Sequence, residues 1–167
     1  MTDFDAAAIL GVLTRHQVSF ILIGGFAAVV HGSPLPTRDV DVVPASAADN
    51  LTRLSDALLE LEARVRNGDD DPIPFAHSAT SLASAVFWNL STKHGDLDIT
   101  FTPSGTSGYD DLKREALMIV IEGTSVAVAS LGDIVRSKDA AGRPKDLRAL
   151  PVLRELLAQD LEAKRSR

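Results

Sequence analysis

Two stretches of strict alternation constrain this chain more than any other feature. Asp39-Val40-Asp41-Val42 and Asp96-Leu97-Asp98-Ile99 each place an acid and an apolar residue in turn. A strand sends successive side chains to opposite faces, so the apolar residues of each stretch enter a core and its carboxylates share the other face. Carboxylates held side by side repel, and near Asp39 and Asp41 in sequence only Arg38 offers a compensating charge. A divalent cation is the natural counter-charge. Magnesium prefers oxygen ligands and is held by one or two carboxylates together with substrate phosphates. An Asp-x-Asp strand alone is equally the polar face of a half-exposed strand. A third carboxylate sharpens the case: if the second stretch lies beside the first, Asp98 joins Asp39 and Asp41 around two metals. Asp96 is nearer the preceding turn, where Asp is favoured for solvation, and is left out of the set. Alternation does not say which of Asp96 and Asp98 faces the metals.

Ahead of these strands, Ser19 to Ile23 is a short, apolar run that ends on Gly24-Gly25 and reads as a buried strand. Phe26 to His31 follows as a short apolar helix, closed by Gly32-Ser33-Pro34. Glycines between a strand and a helix let phosphate oxygens approach the backbone, and a helix N-terminus offers free N–H groups. A plain strand-to-helix turn uses the same residues. Ser33 offers a hydroxyl to a phosphate and serves equally well as a turn residue.

Elsewhere the pattern predicts a first helix capped by Asp3 and a long helix from Ser46 to about Val65. The apolar stripe of the latter is Leu51, Leu54, Leu58, Leu59 and Leu61. Asn67 to Pro74, with a Gly, three consecutive Asp and two Pro, reads as a loop, and its acids lack EF-hand spacing. Ser78 to Ala83 reads as a short helix. Strands are expected over 85–92 and 96–102 around a three-residue Lys93-His94-Gly95 loop. A helix over 109–116, strands over 117–122 and 125–129, and helices over 130–141 and 144–164 complete the reading. The fold class is α+β, with a mixed sheet flanked by helices and C-terminal helices. Residues 1–167 make a single domain, of which 130–167 is a helical segment.

The apolar share of 45% and charged share of 24% are those of an ordinary globular protein. No apolar run approaches the roughly 20 residues of a membrane span. Met1 to Asp5 carries acids rather than a basic apolar signal, so no secretory leader is expected. Without cysteine there is neither a disulfide framework nor a thiolate zinc site, and a cytoplasmic protein is the simplest expectation. His16, His31, His77 and His94 are scattered and read as surface or satisfied residues rather than ligands. The net charge of −6 is unevenly spread: residues 1–132 hold 8 Lys/Arg against 17 Asp/Glu, and residues 133–167 hold 9 against 6. An anion-binding surface and a solvated helix with a basic tail both carry such a charge.

Together, Gly24-Gly25, a helix, the Gly32-Ser33 turn, Thr37-Arg38-Asp39-Val40-Asp41 and the later Leu97-Asp98-Ile99 resemble the signature of polymerase-β-type nucleotidyltransferases. Within that superfamily, Ile23-Gly24-Gly25-Phe26-Ala27 and the run from Lys138 to Asp146 look like the minimal bacterial toxins of the AbiEii and MenT kind. The likeness covers about Phe20 to Leu150. It implies a polymerase-β-like fold and transfer of a nucleotide from a nucleoside triphosphate, with magnesium held by Asp39, Asp41 and Asp98. Gly24, Gly25 and Ser33 would cradle phosphates. Lys138 would meet the triphosphate as a catalytic charge, and Arg143, Lys145 and Asp146 would lie near the nucleotide or support the site. Read without the likeness, these basic residues complement a helix C-terminus.

The acceptor implied by the toxin likeness is an RNA 3′ end, most naturally tRNA, with a cognate antitoxin protein as partner and no membrane. Transfer to a small antibiotic or a protein hydroxyl is the alternative within the same chemistry. A non-catalytic partner-binding or antitoxin-like module is the alternative outside it. Mutually repelling Asp residues weigh against that last reading.

Overall fold

The strand that begins at Phe20 sets the centre of the molecule. In the computed structural model, which describes residues 3–167, β1 (Phe20–Ile23) is buried along its whole length and runs directly into α2 (Gly24–Val30). The chain returns as β2 (Asp39–Pro44), antiparallel to β1 with Ile23 opposite Asp41. It then passes through α3 (Ala48–Glu60), the hairpin β3 (Arg64–Asn67) and β4 (Asp70–Ile73), the short α4 (Ala79–Ala83) and β5 (Phe87–Thr92). From there β6 (Gly95–Thr100) comes to lie parallel to β2 on the side away from β1. After α5 (Tyr109–Lys113), the hairpin β7 (Leu117–Ile121) and β8 (Thr124–Val128) adds β8 parallel to β1. The helices α6 (Leu131–Ala141) and α7 (Pro144–Arg165) end the chain, and α1 (Ala6–Arg15) begins it.

These strands form one mixed sheet in the order β4-β3-β5-β6-β2-β1-β8-β7. Val40, Val42, Leu97 and Ile99 are each at most 1% exposed, which settles which residues of the two alternating stretches enter the core. Helix α1 packs across β2, β6 and β8 and against α3, and its Ile9, Leu10 and Leu13 belong to the same buried cluster. The buried Asn50 holds the neighbouring strand ends together: its side chain accepts from Ser19 N (2.7 Å) and donates to the carbonyls of Ser19 (3.0 Å) and Ala45 (2.7 Å). The α+β class, the mixed sheet with flanking helices and the C-terminal helices are as expected.

Several boundaries differ from the sequence reading, each for a local physical reason. The first helix is capped by Asp5, whose carboxylate accepts from Ala8 N (3.0 Å), and not by Asp3. Helix α2 starts at Gly24 rather than Phe26, so the glycine pair forms its first turn. Helix α3 stops at Glu60 because Glu62 takes a left-handed conformation (φ 54°). Glu62 N then bonds Leu59 O and Ala63 N bonds Leu58 O, a closure usually signalled by glycine. Leu59, expected in the apolar stripe, is 68% exposed. What read as the end of that helix and a following loop is the edge hairpin β3–β4, and an edge strand tolerates the acids and Pro72 that resemble a loop. Gly95 has the expected positive φ (116°) but pairs with Thr92, so the β5–β6 turn has two residues.

Candidate active site

Asp39 and Asp41 are set by the β2 alternation, and the parallel register with β6 supplies their neighbours. Asp39 lies opposite Asp96, and Asp41 lies opposite Asp98. All four acids therefore face one way. Asp39, Asp41 and Asp98 each bring a carboxylate oxygen to within 4.8 Å of the others, the one cluster of possible metal ligands found among the described residues. Asp96, 42% exposed in its side chain, stays outside the cluster and faces Arg66 at 3.7 Å.

The cluster is short of positive charge. Burial, reinforced by the charges of Asp39 and Asp98, pushes the Asp41 carboxyl up to about 7, although Lys145 and Lys138 act against the shift. Burial also raises Asp98, with Asp39 adding to the effect and Arg66 opposing it. Three hard oxygen donors at this spacing, with ionisation of Asp41 and Asp98 disfavoured by burial and by their acidic neighbours, are the donor set that suits an oxygen-preferring divalent cation. No histidine joins them. His16 bonds Glu60, His31 bonds the Ala129 carbonyl (2.8 Å) and His77 bonds Ser55 Oγ (2.7 Å).

The glycine pair borders the cluster. Gly24 sits at φ 77°, and a Cβ there would overlap the Asp41 carboxylate. A Cβ on Gly25 would come within 3.1 Å of Thr37 Oγ1. Thr37 in turn donates from that hydroxyl to Asp39 Oδ1 at 3.2 Å, steering one acid of the cluster. Ser33 is 7% exposed, and its Oγ accepts from Leu35 N (3.2 Å), the bond of a turn residue.

A cleft of about 620 Å³ opens over these groups. The structure brings Gly24, Gly25, Ser33, Asp39, Asp41, Asp98, Lys138, Arg143 and Lys145 together in its lining. Asp146 is the exception. It is fully buried at the start of α7, where its carboxylate accepts from Arg143 N (3.2 Å) and Nε (2.7 Å) and lies 3.5 Å from Lys138 Nζ. Burial alone would raise Asp146, but the Arg143 hydrogen bonds and the charges of Arg143 and Lys138 outweigh it and hold it below the usual carboxylate range. Asp146 thus stands behind the cleft and holds two cations that face into it. Sequence reasoning missed Thr37, Arg66 and Asn89 as site residues. Arg66 donates to Asp98 Oδ1 at 2.7 Å, and Asn89 lies opposite Asp98 in the β5–β6 register. The period-two run Arg64-Val65-Arg66 was the signal for Arg66, hidden by running the preceding helix on to about Val65.

No protein-family model matches the chain, and a search of curated proteins finds no match. Solved structures do match. A Thermotoga maritima protein provisionally assigned as a nucleotidyltransferase superposes with a TM-score of 0.53 at 15% identity, over 92% of this chain and 90% of that one. The lincosamide antibiotic adenylyltransferase LnuA, bound to lincomycin, gives 0.62 at 14%, over 93% and 99%. ANT(2'')-Ia in complex with adenylyl-2''-tobramycin gives 0.56 at 16%, over 95% and 91%. The fold is that of the polymerase-β-like nucleotidyltransferases.

Proposed function

We propose that the protein is a magnesium-dependent nucleotidyltransferase that moves a nucleoside monophosphate from a triphosphate to an acceptor hydroxyl. One observation carries this reading: the Asp39, Asp41 and Asp98 carboxylates meet beside Gly24, in a cleft also lined by Lys138, Arg143 and Lys145. Its volume suits a nucleotide-sized ligand. Asp39, Asp41 and Asp98 would hold magnesium, which supplies charge neutralisation at the reacting phosphate and lowers the pKa of the attacking hydroxyl. The glycines leave room for the Asp41 carboxylate and for Thr37, and their backbone would give the phosphates a close approach. Lys138, Lys145 and Arg143 meet charge that builds on the leaving pyrophosphate. Asp98 takes the acceptor's proton as the acceptor oxygen bonds the α-phosphorus and the bond to the β-phosphate oxygen breaks.

The acceptor we infer is an RNA 3′ end, most naturally that of tRNA. Residues 133–167 are net basic although the chain as a whole is acidic, and Arg148 is exposed one turn along α7 from the cleft-lining Lys145. The toxin likeness adds a cognate antitoxin protein, and the cysteine-free sequence fits a cytoplasmic setting. Among the described residues no helix is long and apolar enough to cross a membrane. The test incubates the protein with each labelled triphosphate, magnesium and total tRNA, with parallel reactions holding lincosamide and aminoglycoside antibiotics. Label at the tRNA 3′ end is expected. Label on an antibiotic would move the acceptor assignment, and no transfer to any acceptor would overturn the enzyme reading.

A further inference from the structure

Arg66 lies on β3, and β5 stands between β3 and β6, so its side chain spans a whole strand to reach the cluster. Nη1 donates to the Leu90 carbonyl (2.8 Å), Nη2 donates to Asp98 Oδ1 (2.7 Å), and Asp96 lies 3.7 Å away. The two partners of the short pair are 28% and 15% exposed, unlike the surface ion pairs elsewhere in the protein. Two cluster acids thus have dedicated side-chain donors, of different kinds. Thr37 steers Asp39 with a neutral hydroxyl, whereas Arg66 brings a full positive charge to Asp98 and occupies one of its two oxygens.

A guanidinium is always charged and its fork matches a carboxylate, so it both aims Asp98 and repels any cation that approaches it. Resting on the metal-dependent reading above, we propose that Arg66 is a built-in counter-ion of the cluster, a positioning residue that holds Asp98 in the cleft and competes with a divalent cation for it. A cation held by Asp39 and Asp41 is little affected. One that also needs Asp98 binds only as the guanidinium yields or shares that carboxylate. Occupancy of the cleft by the Asp98-dependent ion is thereby set by competition with Arg66 rather than by the carboxylates alone.

The test measures manganese binding to the full chain at pH 8, in the presence of a non-hydrolysable triphosphate, by the electron paramagnetic resonance of the free ion. Parent, Arg66→Met, Arg66→Gln and Arg66→Lys are compared, with thermal melting to check folding. Removing the charge should tighten the weaker manganese step on the order of tenfold in Arg66→Met and Arg66→Gln, whereas Arg66→Lys stays near the parent. A side chain that merely supported the fold would, when removed, loosen Asp98 and weaken binding. Unchanged or weaker manganese binding in whichever of the two neutral variants melts near the parent overturns the proposal. Asp41→Asn separates the two layers. If the parent binds manganese and Asp41→Asn does not, the metal reading stands and the neutral Arg66 variants decide. If the parent binds none, the metal reading fails and takes this proposal with it.

Discussion

Gly24 has no room for a side chain because the carboxylate of Asp41 occupies the space a Cβ would take. Its φ of 77° adds a second restriction, since a left-handed residue with a side chain costs about 1–2 kcal/mol. Gly24→Ala should therefore displace Asp41 as well as strain the first turn of α2. Manganese binding should weaken markedly and the melting temperature should drop by several degrees. Gly25→Ala, which meets only Thr37 Oγ1, should do less of both. Equal effects from the two substitutions would contradict the specific link to Asp41.

Asp41→Asn should cut transfer severely while making the metal-free protein more stable at pH 8. In the folded protein Asp41 titrates at about 7, against 3.8 for a free carboxyl. The folded state thus holds the proton more tightly, and the stability due to this group falls as pH rises from about 4 to about 7. Asn never ionises, so the variant's advantage should be about 1–4 kcal/mol at pH 8 and close toward pH 4. Magnesium should raise the melting temperature of the parent and leave that of the variant unmoved. Transfer should fall by several powers of ten. A loss of only tenfold, about 1.4 kcal/mol in the barrier, would be too small for a metal ligand.

Lys138 and Asp146 lie 3.5 Å apart and should fail differently. Lys138→Ala should weaken triphosphate binding and slow transfer with little change in melting. Asp146→Ala removes the carboxylate that caps the start of α7 and binds Arg143 and Lys138, and should cost about 1–3 kcal/mol of stability. Calorimetric titration of triphosphate alongside thermal unfolding separates the two. If Lys138→Ala binds triphosphate like the parent, its charge serves only the start of α7.

Arg148 and Arg154 test the acceptor. Both are exposed, but Arg154 already lies 3.3 Å from Asp139. Replacing either with Ala should weaken RNA binding in a salt-dependent way, Arg148 more than Arg154, and leave triphosphate affinity unchanged. A matching loss of triphosphate affinity would place them in the nucleotide site.

The centre of the fold and the acid cluster were legible because alternation leaves little freedom: Val40, Val42, Leu97 and Ile99 must be buried, so the four acids must face out together. Alternation could not choose between Asp96 and Asp98, because both occupy that face. The choice comes from the register against β2 and from exposure, which are properties of pairing between distant segments. The β3–β4 hairpin escaped for two local reasons. A glutamate, Glu62, closes α3 where a glycine would have announced the stop, and an edge strand carrying Asp70, Asp71 and Pro72 has the composition of a loop. Arg66 was lost with it. Asp146 was placed in the right neighbourhood, but whether a carboxylate lines a cleft or stands behind it depends on how α6 meets α7.

The parallel pairing of β2 with β6 also fixes when the cluster can exist during synthesis. Asp98 leaves the ribosome 57 residues after Asp41, which takes about 3–11 s at ordinary elongation rates. A nascent or truncated chain ending before Gly95 carries Asp39 and Asp41 and nothing to complete them. Lys138, Arg143 and Lys145 arrive later still. Every incomplete copy of the chain up to that point lacks part of the acid cluster or of its facing cations, and the finished molecule gains its cation-lined cleft only with the last two helices.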